Sequence, residues 1–152
     1  MNKLSISQKS YIAGFLDADG MIGISRVKSK SNAHPYSFTI RVIITNTNYE
    51  VIKYFKKTIG VGCAYESSYK YKPNWNVVHR YQLQAKQSFE LLTEIIDFLI
   101  VKKERAETVL QIPHQGHLGK QRSQTDYDRQ EQLFFKLKSM NIRGKSTVDS
   151  DN

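Results

Sequence analysis

Two carboxylates stand one residue apart at the end of the run Tyr11-Ile12-Ala13-Gly14-Phe15-Leu16-Asp17-Ala18-Asp19-Gly20, the sharpest chemical signal in the chain. The residues before them read as a helix. Ser7 is its expected N-cap, and Gly20 is the expected residue past its C-terminus, free to turn left-handed. Asp17 and Asp19 then sit where the helix dipole is already negative, at a cost of roughly 0.3–1 kcal/mol each. A cation at that tip would relieve the repulsion. Two solvated turn residues in an Asp-x-Asp-Gly are the other reading, and these residues alone leave both open.

The same helix carries two packing faces. Ile12, Phe15 and Leu16 recur at i, i+3, i+4 and are expected to bury against the body of the domain. Ser10, Ala13, Gly14 and Asp17 share a second, mostly small face, which lets another helix approach to about 8 Å. Elsewhere the chemistry is thin. His114 and His117 form a His-x-x-His without partner cysteines or an HExxH pattern, which argues against a metal site there. Trp75 with Tyr65, Tyr69 and Tyr71 can stack on bases or simply pack. No phosphate-cradling glycine loop and no nucleophilic triad is present.

The rest of the chain supplies the elements that must hold this tip. Met21 to Lys30 reads as a strand whose even positions change from Ile22 and Ile24 to Arg26, Lys28 and Lys30. A bulge near Gly23 is expected to re-aim the basic side chains. Tyr36 to Thr45 alternates cleanly, with Phe38, Ile40, Val42 and Ile44 on one face and Ser37, Thr39 and Arg41 on the other. Asn46-Thr47-Asn48 caps a helix over 49–58, ended by Gly60. A second hairpin, 63–71 with 77–84, puts Tyr81 and Leu83 inside and Arg80, Gln82 and Gln84 outside. Helices follow over 89–98, 102–112 and from a cap at Thr125 or Asp126 to about 140. Residues 1–143 are expected to form one domain and 144–152 a disordered tail.

Composition narrows the partners. The 152 residues carry a net charge of +9, and 11% of them are aromatic, which suits a polyanion binder. No run of ~18 apolar residues crosses a membrane, so no membrane partner is expected. Cys63 is the single cysteine, which excludes an intrachain disulfide and a cysteine-based zinc cluster. The start Met-Asn-Lys-Leu-Ser lacks a signal-peptide core, so the expected location is intracellular, whether cytoplasm or the matrix of a chloroplast or mitochondrion.

The stretch from Ile12 to Gly20 resembles the motif of the LAGLIDADG homing endonucleases, matching it at Ala13, Gly14, Asp17, Ala18, Asp19 and Gly20, and the order of elements fits over about residues 5 to 141. The resemblance implies an α+β fold, αββαββα, in which two antiparallel hairpins form a curved DNA-binding sheet backed by helices. It implies a homodimer packed through Ser10, Ala13, Gly14 and Asp17, since the motif occurs once. Asp19, with Ala18 beside it, would bind Mg²⁺ or another divalent cation such as Mn²⁺ at the scissile phosphates. Asn46 falls where the family holds a water, often with glutamine, and Lys102 where it places a lysine near the phosphate. Glu50 stands where some relatives carry a basic residue. Base reading would fall to Arg26, Lys28, Lys30, Ser37, Thr39, Arg41, Arg80 and Gln82. The implied function is site-specific, double-strand DNA cleavage at a long pseudo-palindromic target by an intron-encoded enzyme. An intron RNA maturase on the same scaffold is the alternative, and a DNA-binding regulator without catalysis is a third.

Overall fold

The computed structural model describes residues 1–29, 34–67, 76–112 and 123–140. Helix α1 spans Ile6–Asp19 and runs into β1, Met21–Lys28, and β2, Tyr36–Asn46. Helix α2, Tyr49–Ile59, leads to β3, Cys63–Glu66, and β4, His79–Gln84. Helix α3, Ala85–Ile95, continues into a 3₁₀ turn over Ile96–Phe98, followed by α4, Lys103–Leu110, and α5, Gln124–Ser139. The fold is α+β. Four antiparallel strands lie in the order β1-β2-β4-β3 with the helices packed on one face.

Alternation along the strands decides which side is which. Ile22, Ile40, Val42, Ile44, Tyr81 and Leu83 are buried on the inner face and meet Ile12, Leu16, Ile52, Phe55, Leu91 and Ile95 from the helices. Full burial of one such side chain contributes ~1.5–3 kcal/mol, so these residues hold the sheet on its helical backing. Phe15, expected inside, is only partly buried and packs at the margin of the core. Among the described residues no helix is long and apolar enough to cross a membrane.

Several boundaries differ from the sequence expectation, each for a local reason. Ser5, not Ser7, caps α1. The Gln8 N–H donates to Ser5 Oγ at 3.3 Å and the Ser5 N–H donates to Gln8 Oε1 at 2.8 Å, a reciprocal capping box. Ser7 lies inside the first turn. Gly20 is not left-handed: its φ is −81° and ψ 158°. Helix α1 passes straight into β1, and glycine is needed there for space, because a Cβ would lie 2.7 Å from Leu16 Cα and closer still to Leu16 Cδ2. Gly60 does use the left-handed region, with φ +80°, and ends α2 as expected.

The bulge near Gly23 does not form. Residues from Met21↔Ile43 to Lys28↔Tyr36 pair one to one without interruption. Helix α3 begins at Ala85, four residues earlier than its apolar stripe suggests, because its first turn is polar. Within that turn buried Ser88 accepts the Val42 N–H through Oγ at 3.1 Å. Ser123 caps α5 by accepting the Asp126 N–H at 3.1 Å, in place of Thr125 or Asp126. Lys30, Tyr69, Tyr71, Trp75, His114, His117 and the 144–152 tail lie outside the described residues.

Candidate functional site

The C-terminus of α1 is clasped by the segment that begins α4. Asp17 Oδ2 accepts the N–H groups of Ile100 at 2.7 Å and Val101 at 3.1 Å, and Oδ1 accepts that of Lys102 at 2.8 Å. Lys102 returns the contact. Its Nζ donates to Leu16 O at 2.6 Å, which also accepts the Gly20 N–H at 3.1 Å, and to Gly20 O at 2.7 Å just past the helix. The cation demanded by the α1 dipole is therefore, in part, this chain's own ammonium. Burial pushes the Asp17 carboxyl up, and the three N–H donors with the Lys102 charge outweigh it, holding Asp17 below the usual carboxylate value.

Asp19 is exposed at the tip. Together with Ala18, Gly20, Met21, Lys102 and Arg105 it lines a groove of about 550 Å³. Arg105 is a site residue that the sequence reading missed. It lies one helical turn beyond Lys102, a spacing that puts both cations on one side of α4. Its guanidinium donates to Ile22 O at 3.2 Å and Leu137 O at 3.5 Å, joining β1 and α5 to the groove. Burial lowers its pKa. Asn46 ends β2 opposite His79, and since Met21 pairs with Ile43 it lies at the same end of the sheet as Asp19. Asn46 Oδ1 accepts the Asn48 N–H at 2.8 Å, while Asn48 caps α2 by accepting the Glu50 N–H at 3.0 Å.

The donor set suits a hard divalent cation that keeps most of its shell. Among the described residues no group of three or more His, Cys, Asp or Glu side chains converges. The Asp19 carboxylate and the backbone carbonyl of Ala18 are hard oxygens beside an open groove. Mg²⁺ takes one or two carboxylates and fills the rest with water and phosphate, so this sparse set fits.

Of the small face of α1, only part is open. Ser10 and Gly14 are exposed, and a Cβ on Gly14 would meet nothing within 4 Å. Ala13 is fully buried in its own core, and the partly exposed Asp17 has its carboxylate engaged by the backbone of residues 100–102. Tyr11, Ile100 and Val101 flank the open strip as exposed apolar side chains.

The open face of the sheet carries Ser37, Thr39 and Arg41 on β2 and Arg80 and Gln82 on β4, in the alternation expected. Arg26 and Lys28 are on the other side. With no bulge to re-aim it, Arg26 stays in register with the inner face, its guanidinium 3.6 Å above the Tyr36 ring and 3.6 Å from Glu131 of α5. Lys28 shares that side at the exposed end of β1. Tyr65 and Thr45, absent from the expected base-reading set, belong to the open face by register. Tyr65 Oη donates to Gln82 Oε1 at 2.8 Å. The Nε atoms of Arg41 and Arg80 have no hydrogen-bond partner, and no Asp or Glu among the described residues falls on this face.

Known proteins share this fold. The chain resembles the probable intron-encoded endonuclease Cox1-I1b of Schizosaccharomyces pombe, with 28% identity over 96 residues, which is 63% of this chain and 23% of that protein. This chain thus spans less than a quarter of that relative's length. Among solved structures, the homing endonuclease I-CvuI in complex with the I-CreI target in 2 mM Mg superposes with a TM-score of 0.73 at 21% identity, covering 93% of this chain and 87% of that one. The archaeal intron-encoded homing endonuclease I-Vdi141I complexed with DNA gives 0.71 at 22% identity, over 94% and 89%. At such identities these two bear on the fold. The family model of the LAGLIDADG endonucleases matches residues 12–99, and the chain belongs to that family.

Proposed function

We propose that this chain is one subunit of a homodimeric, Mg²⁺-dependent, site-specific endonuclease that cuts both strands of a long, roughly palindromic DNA target, as an intron-encoded homing enzyme does. One observation carries the reading: the exposed Asp19 shares a groove with Lys102 and Arg105 at the end of a sheet face that bears arginines and, among the described residues, no carboxylate. The family membership and the DNA complexes of its structural neighbours support it.

Each part has a task. Two copies joined through the open Ser10–Gly14 strip would bring two Asp19 carboxylates near one axis, where like charges repel and a cation is favoured. A bound Mg²⁺ would supply Lewis-acid charge and an acidified water. Lys102 and Arg105 place positive charge beside the phosphate as charge builds on its oxygens. Asn46, at the same end of the sheet, offers an amide to orient a water. Arg41, Arg80, Gln82, Ser37 and Thr39 face the major groove, which admits a two-stranded β-ribbon. An isologous dimer presents this surface twice, so the target repeats with inverted symmetry.

The test uses purified protein, Mg²⁺ and duplex DNA joining the sequences that flank its gene's intron. Cutting that Asp19→Asn abolishes, with DNA binding retained, is the expected result. Binding confined to intron RNA would favour the maturase instead, and binding without cutting would favour a silent regulator.

A further inference from the structure

Gln82 occupies the middle of the open face, opposite Ile43 on β2 and Cys63 on β3. It is only 8% exposed. The Tyr65 hydroxyl holds its carbonyl oxygen at 2.8 Å, and no described residue accepts from its amide nitrogen. Arg80 lies two residues away on the same strand, and Arg41 lies diagonally across on β2. Both guanidinium groups have an unpartnered Nε.

An unconstrained glutamine offers a donor and an acceptor side by side, the pattern that matches adenine N6 and N7. This one has its acceptor pinned by a neighbour and its donor outward. With arginines on two sides, Gln82 adds its N–H donors to a cluster of guanidinium groups at the centre of the open face, beside exposed Gln84. Guanine is the base whose major-groove edge answers with two acceptors, N7 and O6.

We propose that Tyr65 is a specificity-determining residue: by holding Gln82 Oε1 it makes the glutamine a donor, and the centre of the sheet then selects guanine over adenine. The inference rests on the DNA-cleaving reading. Tyr65 touches no base in this role. It acts through Gln82, and the role differs from stacking, which tolerates any base.

A randomised duplex pool tests it, selected for binding without divalent cation by the wild type, Tyr65→Phe and Gln82→Leu. Gln82→Leu identifies the position it reads, as the one where base preference vanishes. A good base contact discriminates by ~1–3 kcal/mol, so the wild type should favour guanine over adenine there by about tenfold or more. Tyr65→Phe frees the amide to rotate and should bring the two bases within about threefold of each other, while preference at other positions is unchanged and the melting temperature falls by only a few degrees, as loss of one hydrogen bond of ~0.5–1.5 kcal/mol implies. Adenine preferred by the wild type at that position, or guanine preference persisting in Tyr65→Phe, overturns the inference alone. A wild type that enriches no sequence overturns the DNA-cleaving reading along with it.

Discussion

Cutting the clasp between Asp17 and the start of α4 should separate two properties that usually fall together. Asp17→Ala removes the acceptor of three backbone N–H groups, at 2.7, 3.1 and 2.8 Å. Losing a helix N-cap costs ~0.5–2 kcal/mol. Three donors push toward the upper end, and solvent screening of this partly exposed carboxylate pulls back, leaving about 1–2 kcal/mol. For a domain of this size that lowers the melting temperature by roughly 2–8 °C. Released from Asp17, the Lys102 backbone can shift relative to the Asp19 groove, and a ~1 Å misplacement costs about 10²-fold in rate. The expected pattern is a single-turnover cleavage rate reduced by ~10–100-fold with DNA affinity unchanged. Asp17→Asn keeps an oxygen but no charge, and should fall between. Thermal melts, single-turnover cleavage and equilibrium binding on the same duplex read the three quantities. Unchanged melting together with an unchanged rate would refute the clasp, and so would a variant whose main defect is failure to dimerise.

Other outcomes follow from the same geometry. The depressed Asp17 carboxyl contributes stability that is present above its unfolded value of 3.8 and is lost as pH falls through its lower folded value; the wild-type minus Asp17→Asn stability difference, followed by denaturant unfolding, should therefore hold at neutral pH and shrink in strong acid. Arg41→Ala should weaken DNA binding by ~1–3 kcal/mol and relax base preference at the position it faces, whereas Arg26→Ala, stacked on Tyr36 behind the sheet, should lower melting temperature and leave that preference alone. Gly14→Leu should hold the chain as a monomer in sedimentation, because open space on α1 then carries a bulky side chain. Gly20→Ala should destabilise the fold by ~1–3 kcal/mol through overpacking against Leu16, read by urea unfolding.

What is readable in the chain is whatever repeats with a period. The clean alternation of Tyr36–Asn46 announces an inner and an outer face, and both Tyr81 and Leu83 turn inward in step. The motif locates the acidic tip because two acids at the end of a helix, followed at once by glycine, are a costly arrangement that a plain surface helix avoids. Arg26 misleads because an arginine among isoleucines suggests a change of face, when its aliphatic stem and flat guanidinium instead cover Tyr36. The clasp itself is hidden: Asp17 and Lys102 are 85 residues apart, and nothing local hints that a carboxylate will gather N–H groups from a loop that far along. Ser5 is easily passed over in favour of Ser7, although Gln8 three residues later completes its capping box. Tyr65 holding Gln82 depends on two strands being in register, which neither strand reveals alone.

The seamless passage from α1 into β1 has one further consequence. With glycine wedged against Leu16 and no intervening loop, the acid at the tip cannot swivel independently of the strand it precedes. In the proposed nuclease, cutting geometry would thus be tied to the reading face. Redesign of outward side chains on β2 and β4 should leave the distance from Asp19 to that face intact, whereas even a single residue inserted between Asp19 and Met21 would slide the blade off its mark.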